Sequence, residues 1–565
     1  MVTTQWSEAA PRGSAHRTSG GPRSRRAIVA VLVLAVLAAV LAYLPKAQPV
    51  ETSASGTGIT YLPGQTKMNP AYGKGVTVAG VTCGPGVRQV PFSHYAPPCE
   101  PAWHGNNGGA TSPGVTATTI NLAYRKAATD ILAALYTIVP ESVVGTNADA
   151  ITTMQAYINF FNKYYELYGR HVVLKPFAGE GNFIAEDTGA GAPQAEADAV
   201  NVATSLHAFA DMSLVDSSVV YTDDLAANKV VAFGLYVQNR QWYAAGAPYQ
   251  YSPGPNCSQQ AQAIGAILGR QLGGLPTEFA GGSLKGKPEK VGIFYQNVPT
   301  SYDCEQSIAA SLAHYGVTPA ATADITFNLS ELPNEAANAI AAMKKAGVTT
   351  IICSSCDPVT PQYYMKAAQQ ANYHPEWFLQ SYFAANSLST PAYTRLLPAA
   401  QRDQILTIGK APTAQVANEA LQAYRLGNTD PSAQLNPGYV FIYESLMQFF
   451  DGLQLAGPNL TPRNLEAAMR DIPKSTPGGI FGGWNGSAGP YDPASDFQIL
   501  KWTNSAVDPQ DGKLGTYEVC DNGQTFTFAP TITSIPSETQ LKCSLPTTTA
   551  PGTKTATAGA VRSAS

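Results

Sequence analysis

KVGIFYQNVPTSYDCEQSIAASLAHYGV, residues 290–317, decides the fold. Lys290 to Tyr295 is a short apolar run that reads as a strand, and Cys304 to Tyr315 reads as the helix after it. The pattern then repeats: a strand over Ala323 to Phe327, a helix from about Asn334 to Lys345 stopped by Gly347, and a strand over Val348 to Cys353. Strands alternating with helices imply a parallel sheet covered on both faces. Toward the N-terminus, TINLAY (Thr119 to Tyr124) and HVVLKPF (His171 to Phe177) read as strands, as do Asp211 to Val215 and VVAFGL (Val230 to Leu235). The helix between the first two carries Ile151, Met154, Ile158, Phe161 and Tyr165 on one face, and Gly169 ends it. Beyond the linker Tyr249 to Asn256, Gln259 to Leu272 is a helix and the series restarts. The closing third reads as strand-poor. One helix has Tyr439, Ile442, Leu446, Phe449 and Leu453 on a face, another is capped by Thr461 with Pro462 at its first position, and FQILKW (Phe497 to Trp502) is a late strand.

The expected fold class is therefore α/β, two Rossmann-like lobes with parallel sheets and a hinge. The expected domains are 114–250 plus 384–480 for lobe 1 and 251–383 plus 481–545 for lobe 2. Residues 45–113 form a Gly/Pro-rich stalk and disulfide-tied cap, and 546–565, nearly all Thr, Ala, Gly and Ser, a disordered tail.

Charged residues make up only 13% of the 565 and the net charge is −4, too weak a field to hold nucleic acid by counterion release. Eight cysteines fall into close pairs, Cys83/Cys99, Cys257/Cys304, Cys353/Cys356 and Cys520/Cys543, which predicts four neighbour-to-neighbour disulfides in an oxidising compartment. Arg23, Arg25 and Arg26 precede an apolar run, 27–44, that is either a membrane anchor or a signal core; residues 1–26 are the cytoplasmic or signal n-region. Everything after Lys46 then lies outside the cytoplasm, anchored if the run is retained and secreted if it is cleaved. Ser24 to Val29 also has the look of a twin-arginine signal.

The element order, with GVTATTINLAY (114–124), the opening quotation, NEAANAIAAMKKAGVTTIICSSCDP (334–358) and YVFIYESLMQFFDGLQLAGPNLTPRNLEAAMRDI (439–472), resembles the type I periplasmic binding proteins. The likeness is to their Leu/Ile/Val-binding branch, the substrate-binding proteins of ABC importers, and covers about Gly114 to Trp502. It implies a small solute held between two lobes, an ABC permease as partner, and neither enzyme activity nor a cofactor. It also implies three crossings, near Tyr249 to Asn256, Tyr382 to Leu388 and Gly479 to Trp484. The family's carboxylate-binding hydroxyl maps to Ser217 or Ser218, and its second-lobe tyrosine to Tyr302. Ligands of open α/β sheets gather at the strands' carboxyl ends, which adds Tyr124, Gln238 and Trp242, with Tyr243 and Tyr382 completing an aromatic cleft.

One departure matters. The acid that holds a bound α-amino group in the family falls at about Tyr382, where no Asp or Glu stands; Asp357 is a substitute, although Asp before Pro358 suits a turn equally. Leucine, isoleucine and valine are therefore expected to bind poorly. A sensor domain serving a separate signalling partner is the alternative role on the same fold. From another class, Cys353-Ser-Ser-Cys356 has the spacing of a thiol-disulfide oxidoreductase, but it ends a strand rather than opening a helix. The seven histidines show no metal-ligand spacing, and no phosphate loop, nucleophile elbow or calcium loop is present.

Overall fold

The computed structural model describes residues 59, 60, 62 and 74–546, with breaks at 215, 235–237, 298, 327, 329, 357–359, 382–389, 412–417, 431, 437–438 and 490. The apolar run 27–44 and nearly all of the C-terminal tail lie outside the described residues. Among the described residues, no single helix is long and apolar enough to cross a membrane.

Five strands form the first sheet: β1 (Thr119–Lys126), β2 (His171–Ala178), β3 (Ala210–Asp211), β4 (Val231–Phe233) and β5 (Gln250–Tyr251), all parallel, in the order β2-β1-β3-β4-β5. Each pair is joined through a helix, as parallel pairing demands. The helix Asn147–Tyr164 starts on a capping box made by Thr146 and Asp149 and buries Met154, Ile158 and Phe161 against the sheet and the helix Val440–Ala456. Ile151 is only partly buried.

The second sheet contains β6 (Val291–Gln296), β7 (Ala321–Ile325), β8 (Thr350–Cys356), β9 (Glu376–Ser381), β10 (Ile405–Gly409), β11 (Asp496–Val507), β12 (Leu514–Cys520), β13 (Phe526–Thr527) and β14 (Cys543–Ser544). Its order is β14-β12-β11-β10-β9-β8-β6-β7, with β13 against β11. Strands β6 to β10 pair in parallel and β11, β12 and β14 extend the sheet antiparallel.

Four expectations are corrected here. The closing third is not strand-poor, because the twelve residues of β11 and the hairpin to β12 build one side of the second lobe. Segment 384–480 does not belong wholly to lobe 1: Ile405–Gly409 pairs with β9 and β11, so the chain leaves the second lobe only after Gly409, not near Tyr382 to Leu388. The return crossing is also later than expected. Phe481 and Trp484 sit in the first-lobe core around Tyr95, and the chain reaches the second sheet only at Asp496. Finally, residues 74–113 are not a projecting cap. They lie along the first lobe, with Val90, Tyr95 and Ala96 in its core and the Gln89 side chain donating to the Tyr164 carbonyl at 2.7 Å.

This strap explains why Val440–Ala456 is buried around its whole circumference, Glu444, Gln448, Asp451 and Gln454 included. The amphipathic face read from the sequence is real, and the strap and the hinge segments together cover the rest, Gln448 Nε2 donating to the Ser252 and Tyr491 carbonyls. Gln454 Nε2 donates to Gln89 and to the Pro98 carbonyl at 3.3 Å each, and Tyr165 donates to Asp451 at 2.6 Å. Desolvation pushes the Asp451 and Glu444 carboxyls well above their ordinary range, which makes such burial tolerable.

Disulfides join Cys83 to Cys99, Cys257 to Cys304 and Cys520 to Cys543, as neighbour pairing predicts. Cys353 is also disulfide-bonded; the Cys356 side chain lies outside the described residues.

Candidate functional site

The parallel strands of both sheets end toward the region where the chain passes between lobes. The first crossing lies between Tyr251 and Cys257 and runs beside the last: Ser252 N–H donates to the Tyr491 carbonyl at 2.9 Å, and Gln259 Nε2 to the Ala494 carbonyl at 2.8 Å. Between these, Asn256 Nδ2 donates to Asp492 at 2.5 Å. Burial lifts the Asp492 carboxyl to about 7 against that hydrogen bond. The buried pair thus ties two hinge segments together.

On the first lobe, Tyr124 and Arg125 lie near the end of β1, both fully buried. Arg125 pairs with Glu186 at 2.7 Å, Asp198 at 3.1 Å and Asp216 at 3.4 Å. It also donates to the Asp216 carbonyl at 2.9 Å and lies 3.9 Å over the Tyr221 ring. Burial opposes the guanidinium charge, but the Glu186 hydrogen bond and the charges of Asp216 and Glu186 outweigh it and raise its pKa. Burial raises both Asp216 and Asp211 to about 6, against the lowering effect of Arg125. Carboxylates outnumber the cation, and the site holds them by hydrogen bonds: Asp216 accepts from Phe183 N–H and Asp198 from Gly181 N–H.

This cluster fixes the loop after β3. Ser218 is the N-cap of the helix Val219–Ala227: its oxygen accepts from Tyr221 N–H at 3.0 Å and its hydroxyl donates to Glu186 at 2.5 Å. Ser218 is buried and occupied on both sides, whereas Ser217 is half-buried, with its hydroxyl 3.5 Å from that of Thr222. Tyr124 Oη has no hydrogen-bond partner, and burial pushes its pKa well above the ordinary value. Arg125, Glu186, Asp198 and Asp216 were not singled out in the sequence. The signal was an arginine directly following the apolar run TINLAY in a chain poor in charge.

After β4, Gln238 is buried and its carbonyl accepts from Cys257 N–H at 2.9 Å, so this loop touches the hinge directly. Asn239 caps the next helix and its amide donates to Asp303 of the second lobe at 3.1 Å. Trp242 is half-buried, edge-on to Tyr243, which stacks in turn on Tyr491. The loop carrying Gln238 and the start of the helix Arg240–Ala245, which carries Trp242, are thereby brought against the helix Pro299–His314, whose first turns contain Tyr302. The Tyr302 side chain, Asp357 and Tyr382 lie outside what the structure describes. The Cys257–Cys304 bridge, fully buried, pins the same helix to the hinge exit.

On the second lobe, the pairing of β8 with β9 slips between Cys353/Leu379 and Cys356/Ser381, so two residues on β8 face one on β9. This β-bulge holds Ser354 and Ser355 opposite Gln380. Among the described residues, no group of three or more His, Cys, Asp or Glu is placed to hold a metal ion.

The sequence profile of the periplasmic binding proteins matches residues 147–505, more than half of the chain. A search of curated protein sequences finds no match. Among solved structures, the chain is similar to the leucine-, isoleucine-, valine-, threonine- and alanine-binding protein of Brucella ovis in its closed conformation: 13% identity, TM-score 0.51, covering 74% of this chain and 97% of that one. It is also similar to a solute-binding protein of an ABC transporter from Rhodopseudomonas palustris in complex with p-hydroxybenzoic acid: 12% identity, TM-score 0.50, covering 73% and 98%. At these identities the likeness is one of fold, that of the type I binding proteins.

Proposed function

The chain belongs to the periplasmic binding protein family, and from that premise we propose that it captures a small carboxylate-bearing solute outside the cytoplasm, between its two lobes, for delivery to an ABC permease. The carrying observation is the loop after β3. The ion-paired Arg125 holds it, Ser218 is engaged in capping the helix Val219–Ala227 and in bonding Glu186, and Ser217 precedes that cap with its hydroxyl 3.5 Å from that of Thr222. The first N–H groups of a helix and its positive dipole end favour an anion, and a hydroxyl beside them completes the site. Ser217, rather than Ser218, is then the ligand hydroxyl.

Tyr124, Gln238 and Trp242 line the first-lobe side in this reading, and Tyr302, Tyr382 and Asp357 the second-lobe side. The aromatic set suits a solute with an apolar body. Residues 27–44 act as the membrane anchor or signal. No step of this function makes or breaks a covalent bond, and Cys353, in a strand and already bridged, serves to stiffen the cleft edge.

A thermal-shift screen of the full chain against amino acids, short-chain and aromatic acids, amides, sugars and polyamines tests the proposal. A ligand at about a hundred times its Kd stabilises the native state by about 2.7 kcal/mol. The expected hits are acids, with leucine, isoleucine and valine weak. Hits confined to sugars or polyamines would overturn the carboxylate assignment.

A further inference from the structure

At the carboxyl edge of the second sheet two neutral side chains are buried without partners. Gln380, the penultimate residue of β9, is fully buried, and neither its amide oxygen nor its amide nitrogen has a hydrogen-bond partner. Ser354, across the bulge on β8, is buried with its hydroxyl equally unpartnered. Leaving such groups unpaired costs about 1–3 kcal/mol each, so their clustering at one strand end calls for an occupant. Alternation places Gln380 on the sheet face of Phe378, the face covered by the helices Cys257–Ile264 and Pro299–His314. The first helix begins directly after a crossing and the second directly after β6, so both present their positive ends at this edge. Among the described residues, which do not include Asp357, no carboxylate hydrogen-bonds to Gln380 or Ser354, and Asp303 in the second helix is turned to Asn239 of the first lobe.

From this we infer that Gln380 and Ser354 form a neutral hydrogen-bonding subsite for the end of the solute remote from its carboxylate, and that this end is an uncharged hydroxyl or carboxamide, not an ammonium. An amide offers one donor face and one acceptor face, and hydroxyls and carboxamides complement both. An ammonium offers donors only and meets two helix N-termini. Cys353, itself disulfide-bonded, opens the bulge that sets Ser354 and Ser355 opposite Gln380 in register. The inference rests on the carboxylate-binding reading above and adds the chemistry of the ligand's other end.

The test is calorimetric titration of the full chain with two matched series of acids. One is benzoate, para-hydroxybenzoate, terephthalamate and para-(aminomethyl)benzoate; the other is butyrate, gamma-hydroxybutyrate, succinamate and gamma-aminobutyrate. In at least one series the hydroxyl and carboxamide members should bind about tenfold or more tighter than the unsubstituted acid, the range of one or two buried hydrogen bonds, and the ammonium member more weakly than it. Gln380→Leu should erase that preference while leaving the unsubstituted acid's affinity unchanged; Ser354→Ala, a smaller change, should reduce it, and serves if the leucine variant unfolds. Preference retained in both variants, or an ammonium member that binds best, overturns the inference and leaves the carboxylate reading standing. Failure of every member of both series to bind overturns the carboxylate reading and the inference with it.

Discussion

At the carboxyl edge of the first sheet the protein pairs its own charges, with Tyr124 Oη left unbonded, whereas at that of the second, among the described residues, the buried groups Gln380 and Ser354 are neutral and unbonded. At the end of β1 a single arginine engages three carboxylates, an aromatic ring and a backbone carbonyl. At the ends of β8 and β9, a serine and a glutamine are buried with nothing to bond. A charge cannot wait for its partner inside a protein, because desolvation is too costly; a neutral amide can. In the proposed site the first lobe would then be the preformed half and the second the half completed by the solute.

The largest expected effect comes from breaking the charged edge. Arg125→Met strands Glu186, Asp198 and Asp216 without their cation, and removing one partner of a buried pair costs about 3–5 kcal/mol. Denaturant unfolding should show a loss at the upper end of that range, together with loss of acid binding. A variant within 1 kcal/mol of the wild type would mean that the cluster is not what holds the loop.

Next is the covalent tie on the other side. Replacing both Cys257 and Cys304 by alanine opens a loop of sequence separation 47 at the hinge exit and should cost about 2–4 kcal/mol. Calorimetric unfolding checks it. An unchanged Tm would show that the helix bearing Tyr302 needs no such anchor.

Between the two edges lies Asp492, whose carboxyl is raised from 3.8 to about 7. Between those values the native state keeps a proton that the unfolded chain has lost. Stability therefore falls as pH rises from about 4 to about 7, by at most about 1.4 kcal/mol per pH unit for this group, and levels off above. Asp492→Asn should flatten that part of the profile relative to the wild type while keeping a side chain of the same shape beside Asn256. Parallel wild-type and variant profiles would remove Asp492 as the source.

The smallest effect separates the two serines. Ser218→Ala removes a helix cap and should cost about 1 kcal/mol, with a further penalty for the Glu186 oxygen it leaves unbonded. Ser217→Ala should leave stability within about 0.5 kcal/mol and weaken acid binding alone. The opposite assignment, binding lost in Ser218→Ala without destabilisation, would exchange their roles.

The fold was largely legible in the sequence because strand and helix periodicities are local. KVGIFY and TINLAY became β6 and β1, Thr461 caps where expected with Asn464 N–H on its oxygen, and Gly347 ends its helix in the left-handed region. Sheet membership was less legible, since nothing in ILTIG (405–409) tells which of two sheets it joins; partners on β9 and β11, far away in sequence, decide that. The strap failed for the same reason, its Gly- and Pro-rich composition hiding Val90 and Tyr95 as core residues. At the candidate site, motif likeness pointed to Ser217 or Ser218 and to Tyr302, and the strand-end rule to Gln238, but neither pointed to Arg125 or Gln380. Their significance lies in which groups surround them, or do not, in three dimensions.

The most direct test of a solute held between the two lobes is a distance measurement across them. Spin labels at Val200 and Val507, both exposed and on opposite lobes, can be followed by pulsed dipolar spectroscopy in the full chain, with and without a saturating amount of the strongest acid from the thermal-shift screen. The account predicts a ligand-dependent shift of the distance distribution to one narrower, shorter population, abolished by Ser217→Ala at the same concentration. A distribution unchanged by a ligand that demonstrably binds would contradict it.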